Sequence, residues 1–160
     1  MAGSEKWGPE HADAGLYDGA VTLVEAIDDH ATDAHSKVVA LWEGVGSRVI
    51  SIDPAVHDAM VARTSHVPHI AAAAIARLVA DHPEAQPFVG KGFQDTTRIA
   101  AGRPELWRDI CLTNPEAILQ GLDEMIGRLE GMKNAIAERD GAYLDRFFEE
   151  GRSAREVLDS

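Results

Sequence analysis

The sequence predicts a mainly α-helical protein: a multi-helix bundle around one long central helix, with one or two short strands near the N-terminus. Three observations carry this. Pro115 opens a run in which Ile118, Leu122, Met125, Leu129, Met132 and Ile136 recur at steps of 4, 3, 4, 3 and 4, a heptad seam on one helix face. From Asp53 onward the apolar residues follow a helical period, starting at the helix-start pair Asp53-Pro54. Upstream, "AVTLVEAI" (20–27) and "RVISI" (48–52) are rich enough in β-branched residues to form short strands.

The elements follow in order. Residues 1–18 carry several glycines and a proline and read as loop. After the strand at 20–27, Thr32 can cap a helix with apolar positions Val38, Val39, Leu41 and Trp42, which "GVG" at 44–46 ends. The strand at 48–52 leads to a helix from Pro54 to about Arg63. Ser65 is expected to cap the next helix, with Pro68 tolerated in its first turn, running to about Asp81. "HPEAQPF" reads as a loop, "GFQDTTRIAAG" as a short helix between glycines, and "RPELWRDICLTN" as a helix closed by Asn114. A last helix covers about 141–158 and carries Leu144, Phe147, Phe148 and Leu158 among charges. The 118–136 seam has two readings: a stripe inside one bundle, or a seam that also reaches a second subunit.

Composition narrows the function. The chain has 160 residues, 45% of them apolar and 26% charged, as in an ordinary soluble globular protein. Its net charge of −12 excludes the basic footprint that nucleic acid and anionic membrane surfaces require. Neither partner is expected, though a few local bases suffice for a small anion. Cys111 is the only cysteine, so no intrachain disulfide forms and a cytoplasmic location is expected. No apolar run approaches the ~20 residues that span a bilayer.

Polar residues cluster in two stretches. In "HDAMVARTSHVPH" (57–69), His66 and His69 sit three apart and share a helix face or its entry turn, as packed or capping residues or as a site. His57 and Asp58 resemble a metal-dependent phosphohydrolase dyad, but no further ligands fall in a matching frame, and no metal is expected. In "KGFQDTTRIAAGRPELW" (91–107), Asp95 and Arg98 either pair across a helical turn or belong to a short helix whose threonines and arginine offer donors to a carboxylate.

Taken together, "HDAMVARTSHVPH", "GFQDTTRIAAGRPELWRDICLTN" and the long helix behind them resemble the helical C-terminal domain of the prephenate (or arogenate) dehydrogenases, where "SHLPH" and "GFRDTTRIA...W" recur in this order. The resemblance covers nearly the whole chain; Lys91 stands where the family often has glycine. "MAGSE" (1–5) resembles the family's "HPMAGSE" loop, so Met1 would correspond to an internal methionine. The family's catalytic base, the histidine of that loop, would then lie upstream, together with a dinucleotide-binding (Rossmann) domain. No G-x-G-x-x-G turn occurs in these 160 residues.

The resemblance implies a chemistry. Family enzymes oxidise prephenate or arogenate with NAD or NADP: the base takes the ring hydroxyl proton, hydride leaves for the cofactor, and the ring carboxylate departs as CO2. By motif match, Arg98 would bind a carboxylate and His69 would be the substrate-side histidine. Trp107 would wall the pocket, Ser4 and Glu5 would contact or gate substrate, and Asp95 would orient Arg98 or pair with it across a homodimer. Residues 1–52 would be a junction segment and 53–160 the substrate-binding and dimerisation domain, which favours the inter-subunit reading of the seam. Alone, the chain is expected to take no cofactor and to be inactive. The alternative is a non-catalytic, free-standing domain that dimerises or senses a ligand.

Overall fold

The computed structural model describes residues 8–25 and 32–158. It divides into two compact units, one up to Val61 and one from Ala62.

The first unit is a βαβ. Strand β1 (Val21–Glu25) and strand β2 (Arg48–Ile52) pair in parallel, with Val21 opposite Arg48 and Glu25 opposite Ile52. Helix α1 (Thr32–Gly44) makes the crossover that parallel strands need. Two close approaches fix the turn into β2. Gly46 has φ +89°, and a Cβ there would lie 3.1 Å from the Asp18 Cα, so the position requires glycine on both counts. The buried Ser47 hydroxyl donates to the Tyr17 carbonyl at 3.4 Å and accepts from Thr22 Oγ1 at 3.1 Å. The Tyr17 ring meets Trp42 edge-on at 5.2 Å. Helix α2 (Pro54–Val61) closes the unit. Its cap is Asp53, whose Oδ1 accepts from the Ala55 and Val56 amides at 2.9 and 3.1 Å.

The second unit is helical: α3 (Val67–Ala80), α4 (Lys91–Thr97), α5 (Pro104–Thr113), α6 (Pro115–Glu138) and α7 (Gly141–Leu158). Short 3₁₀ turns at Pro83–Phe88 and Arg98–Ala101 link them, the first where the sequence predicts plain loop. The entry to α3 also differs from the prediction. Ser65 does not cap a new helix but sits inside a π-helical turn, Ala62–His66, that runs directly into α3. Pro68 supplies the reason. It has no N–H for the Thr64 carbonyl, and its ring would crowd that carbonyl in an α-helix. A wider turn just before it relieves both problems.

The long helix starts at Pro115, as the sequence predicts. Buried Asn114 caps both α5 and α6, its carbonyl accepting from the Ile118 amide at 3.3 Å. Arg139 in the left-handed region ends α6, and Asp140 Oδ1 then caps α7 through the Tyr143 amide at 3.0 Å. Glu149, Arg152 and Glu156 form an exposed ion-pair ladder along α7. Gly121 lets α6 approach the start of α3: a Cβ there would stand 2.9 Å from Val67 Cγ2. Arg63 reaches Glu124 across the same contact at 2.6 Å.

The core around this contact is small. Ala62, Val67, Ala72, Ile118 and Ala135 are buried, but among the described residues no large side chain is fully so. The seam is covered only in part. Ile118 is buried and Leu122, Met125 and Met132 half-buried, while Leu129 and Ile136 remain 55% and 60% exposed.

Candidate functional site

The π turn and the first turn of α3 place His66 and His69 on one side, and α5 brings Trp107 to them. The His69 and Trp107 rings stack, with centroids 3.4 Å apart and planes 18° apart; His66 meets the same indole edge-on at 6.3 Å. All three side chains are half-buried. Gly102, between the 3₁₀ turn and α5, closes over the pair. A Cβ at that position would lie 2.5 Å from Trp107 Nε1 and 2.9 Å from His69 Nε2.

His69 Nε2 and His66 Nδ1 are buried without a hydrogen-bond partner. Burial pushes the His69 pKa below its ordinary value, because an imidazolium there would lose hydration with no counter-charge on the sealed nitrogen. At neutral pH His69 is therefore an uncharged ring.

Arg98 is exposed and opens the 3₁₀ turn, on the short segment that ends at Gly102. Asp95, one turn earlier on α4, is exposed and makes no ion pair among the described residues, so the simple Asp95–Arg98 surface pair is not formed. The threonines are not spare donors either. Thr96 Oγ1 donates to the Gly92 carbonyl and Thr97 Oγ1 to that of Phe93, each at 2.8 Å, as hydroxyls inside helices commonly do. His57 Nδ1 lies 3.0 Å from Asp58 Oδ1, and no metal-holding cluster occurs among the described residues. Ser4 and Glu5 lie outside the described residues.

Of the predicted site residues, then, the structure brings together His69 and Trp107 and puts Arg98 on the adjoining turn. Sequence reasoning missed Gly102, which reads as a mere helix terminator; its signal is a glycine placed directly between the Arg98 motif and the Trp107 helix.

A helical unit with a packed histidine–tryptophan stack and an open apolar helix face has the makings of an association domain. Comparison with known proteins agrees. Residues 53–150 match the family described as "Prephenate dehydrogenase, dimerization domain", and the chain belongs to that family. It is 32% identical over 163 residues to the cyclohexadienyl dehydrogenase of Zymomonas mobilis, covering 99% of this chain and 56% of that protein. It is 30% identical over 162 residues to the prephenate dehydrogenase of Bacillus subtilis, covering 99% and 44%. The chain thus spans about half the length of the curated relatives it matches. Among solved structures it superposes on the prephenate dehydrogenase of A. aeolicus in complex with hydroxyphenyl propionate and NAD+, with a TM-score of 0.90 and 30% identity over 99% of this chain and 57% of that one.

The family's cofactor does not fit the βαβ unit described above. A dinucleotide's pyrophosphate needs a glycine-rich first βα connection opening onto a helix N-terminus. Here the connection between β1 and α1, residues 26–31, reads "AIDDHA": no glycine, and two carboxylates, Asp28 and Asp29. No described helix is long and apolar enough to cross a membrane.

Proposed function

We propose that this chain is the substrate-binding and dimerisation part of an enzyme that oxidatively decarboxylates prephenate, or its amino analogue arogenate, at the expense of NAD(P)+ bound outside the βαβ unit, in tyrosine biosynthesis in the cytoplasm. The observation that carries the reading is the close superposition on a relative holding hydroxyphenyl propionate, an aryl carboxylate shaped like the product. In this reading residues 53–160 form the substrate and dimer domain and 1–52 the junction. Arg98 forks two charge-assisted hydrogen bonds onto a substrate carboxylate, which only a guanidinium does. Trp107 walls the ring, and neutral His69 offers a hydrogen bond rather than a charge. Ser4 and Glu5 contact or gate the substrate, and Asp95 orients Arg98 or meets it from the second subunit of a homodimer. The NAD found in the relative's complex is held, in this enzyme, by groups other than those described here.

Calorimetric titration with 3-(4-hydroxyphenyl)propionate tests this. The parent chain binds, and Arg98→Ala weakens binding by ~2–5 kcal/mol. Arg98→Lys weakens it nearly as much, because an ammonium cannot reproduce the fork. Thermal stability stays within about 1 kcal/mol of the parent. No binding by the parent, or undiminished binding by Arg98→Lys, overturns the assignment.

A further inference from the structure

Between α6 and α7 lies a cavity of about 90 Å³ lined by none of the residues proposed to meet substrate. Arg128 lines it from α6, and Tyr143, Arg146, Phe147 and Glu150 line it from α7. The α7 residues follow each other at helical spacing, so they share one face of that helix. Their aromatic rings make a fixed floor. Tyr143 and Phe147 stack with centroids 6.4 Å apart, and the Arg146 guanidinium lies 5.9 Å from the centre of the Tyr143 ring. Gly131, one turn beyond Arg128, leaves the Tyr143 hydroxyl the space that any Cβ would take, which seats the phenol against α6. Among the described residues Arg128 makes no ion pair, Arg146 has only the Tyr143 ring, and the Tyr143 hydroxyl makes no hydrogen bond. Two guanidiniums face the single carboxylate of Glu150, so positive charge is in excess here, in a chain whose net charge is −12.

We propose that Arg128, Arg146 and the Tyr143 hydroxyl bind a phosphate group, inorganic or carried by a small molecule, in the cavity between α6 and α7. Size, charge and donor geometry agree on this class. An aromatic ring needs roughly 150 Å³, so the cavity admits a group the size of a phosphate but no ring. Two guanidiniums match the double charge of a phosphate, and charge-assisted hydrogen bonds from arginine are the strong ones. The donors come from two helices and a phenol, in several directions. A tetrahedral phosphate offers oxygens in all of them, whereas a carboxylate offers two in one plane. Glu150 opposes any anion at this place, which keeps the affinity modest.

Inorganic phosphate is titrated into the isotope-labelled full chain at neutral pH and constant ionic strength, and the amide resonances are followed. Saturable shifts are expected around Arg128 and along Tyr143 to Glu150, with a Kd in the millimolar range. Arg128→Gln and Arg146→Gln should each raise that Kd about tenfold, the loss of a charge-assisted hydrogen bond. Tyr143→Phe should raise it several-fold, and Glu150→Gln should lower it. Arg48→Gln makes the same change of net charge in the first unit and should leave it unchanged. Acetate should bind several-fold more weakly than phosphate. The amide spectrum of each variant shows that the fold is kept. No saturable shift between α6 and α7 in the parent overturns the proposal. So does an Arg48→Gln effect as large as that of Arg128→Gln, which would mean a general field and no site. Acetate that binds as tightly as phosphate overturns the assignment to phosphate. Phosphate binding that Arg98→Ala abolishes, with Arg128→Gln and Arg146→Gln silent, would put the anion at the proposed substrate site and likewise overturn it.

Discussion

The open face of α6 makes a quantitative demand. Leu129 and Ile136 belong to one seam, two turns apart, and are 55% and 60% exposed. Burying such a side chain fully stabilises by ~1.5–3 kcal/mol, so the exposed part of each is worth about 1 kcal/mol. In a symmetric dimer every residue of the interface appears twice. Replacing both with serine should therefore remove about 4 kcal/mol of association energy, about a thousandfold in Kd. Sedimentation velocity over a nanomolar-to-micromolar series reads this directly, with circular dichroism showing that α6 persists. The parent should be dimeric at micromolar concentration and the Leu129→Ser/Ile136→Ser chain monomeric. A double variant that associates as tightly as the parent, or a parent that is itself a micromolar monomer, refutes the argument that this seam is an inter-subunit surface.

Two further outcomes follow from close contacts in the second unit. Gly121→Ala gains helix propensity of up to ~1 kcal/mol but drives a methyl to 2.9 Å from Val67 Cγ2; overpacking of this kind costs ~1–3 kcal/mol. Urea denaturation should show net destabilisation, and a stabilised variant would mean that α6 does not press on Val67. For His69, the lowered folded-state pKa means that the unfolded chain binds more protons near its ordinary value of 6.5. The stability this residue contributes is thus intact above about 6.5 and lost as pH falls from there toward the folded value. His69→Gln should flatten that part of the stability–pH curve between pH 7.5 and 5.5, and a curve identical to the parent's would show that His69 is not desolvated.

Several helix starts were legible because they are written in local chemistry: Asp53 before Pro54 and Asn114 before Pro115. The strands were legible from β-branched runs, and their parallel pairing follows from the helix between them. What the sequence hid depends on contacts between distant residues. The spacing of His66 and His69 shows that they share a face, but not that Trp107 comes to meet it. Thr96 and Thr97 look like donors until the helix claims both hydroxyls. Ser65 looks like a cap because Ser usually is one; the missing amide of Pro68 decided otherwise, through a π turn that no local propensity announces. Gly102 looks like punctuation, and only the rings packed beneath it show why no Cβ is tolerated.

An acidic chain that is proposed to hold a dianion faces an electrostatic difficulty, and the second unit offers a way around it. A net charge of −12 repels the ligand at long range, but ions screen that field beyond about 8 Å at physiological salt. Attraction therefore has to be local. A charged His69 would be the obvious second cation beside Arg98, yet burial keeps it neutral. That choice has a structural logic. An imidazolium could not rest on Trp107 beneath the Gly102 backbone with its Nε2–H buried and unpaired, whereas a neutral ring can, at a smaller desolvation cost. In the proposed site the charge is carried instead by Arg98, which is exposed. Arg98 opens the 3₁₀ turn that Gly102 closes, so one short segment carries both the residue proposed to draw the anion and the backbone that covers the histidine. In the proposed site, charge supplies the attraction and the neutral histidine the orientation.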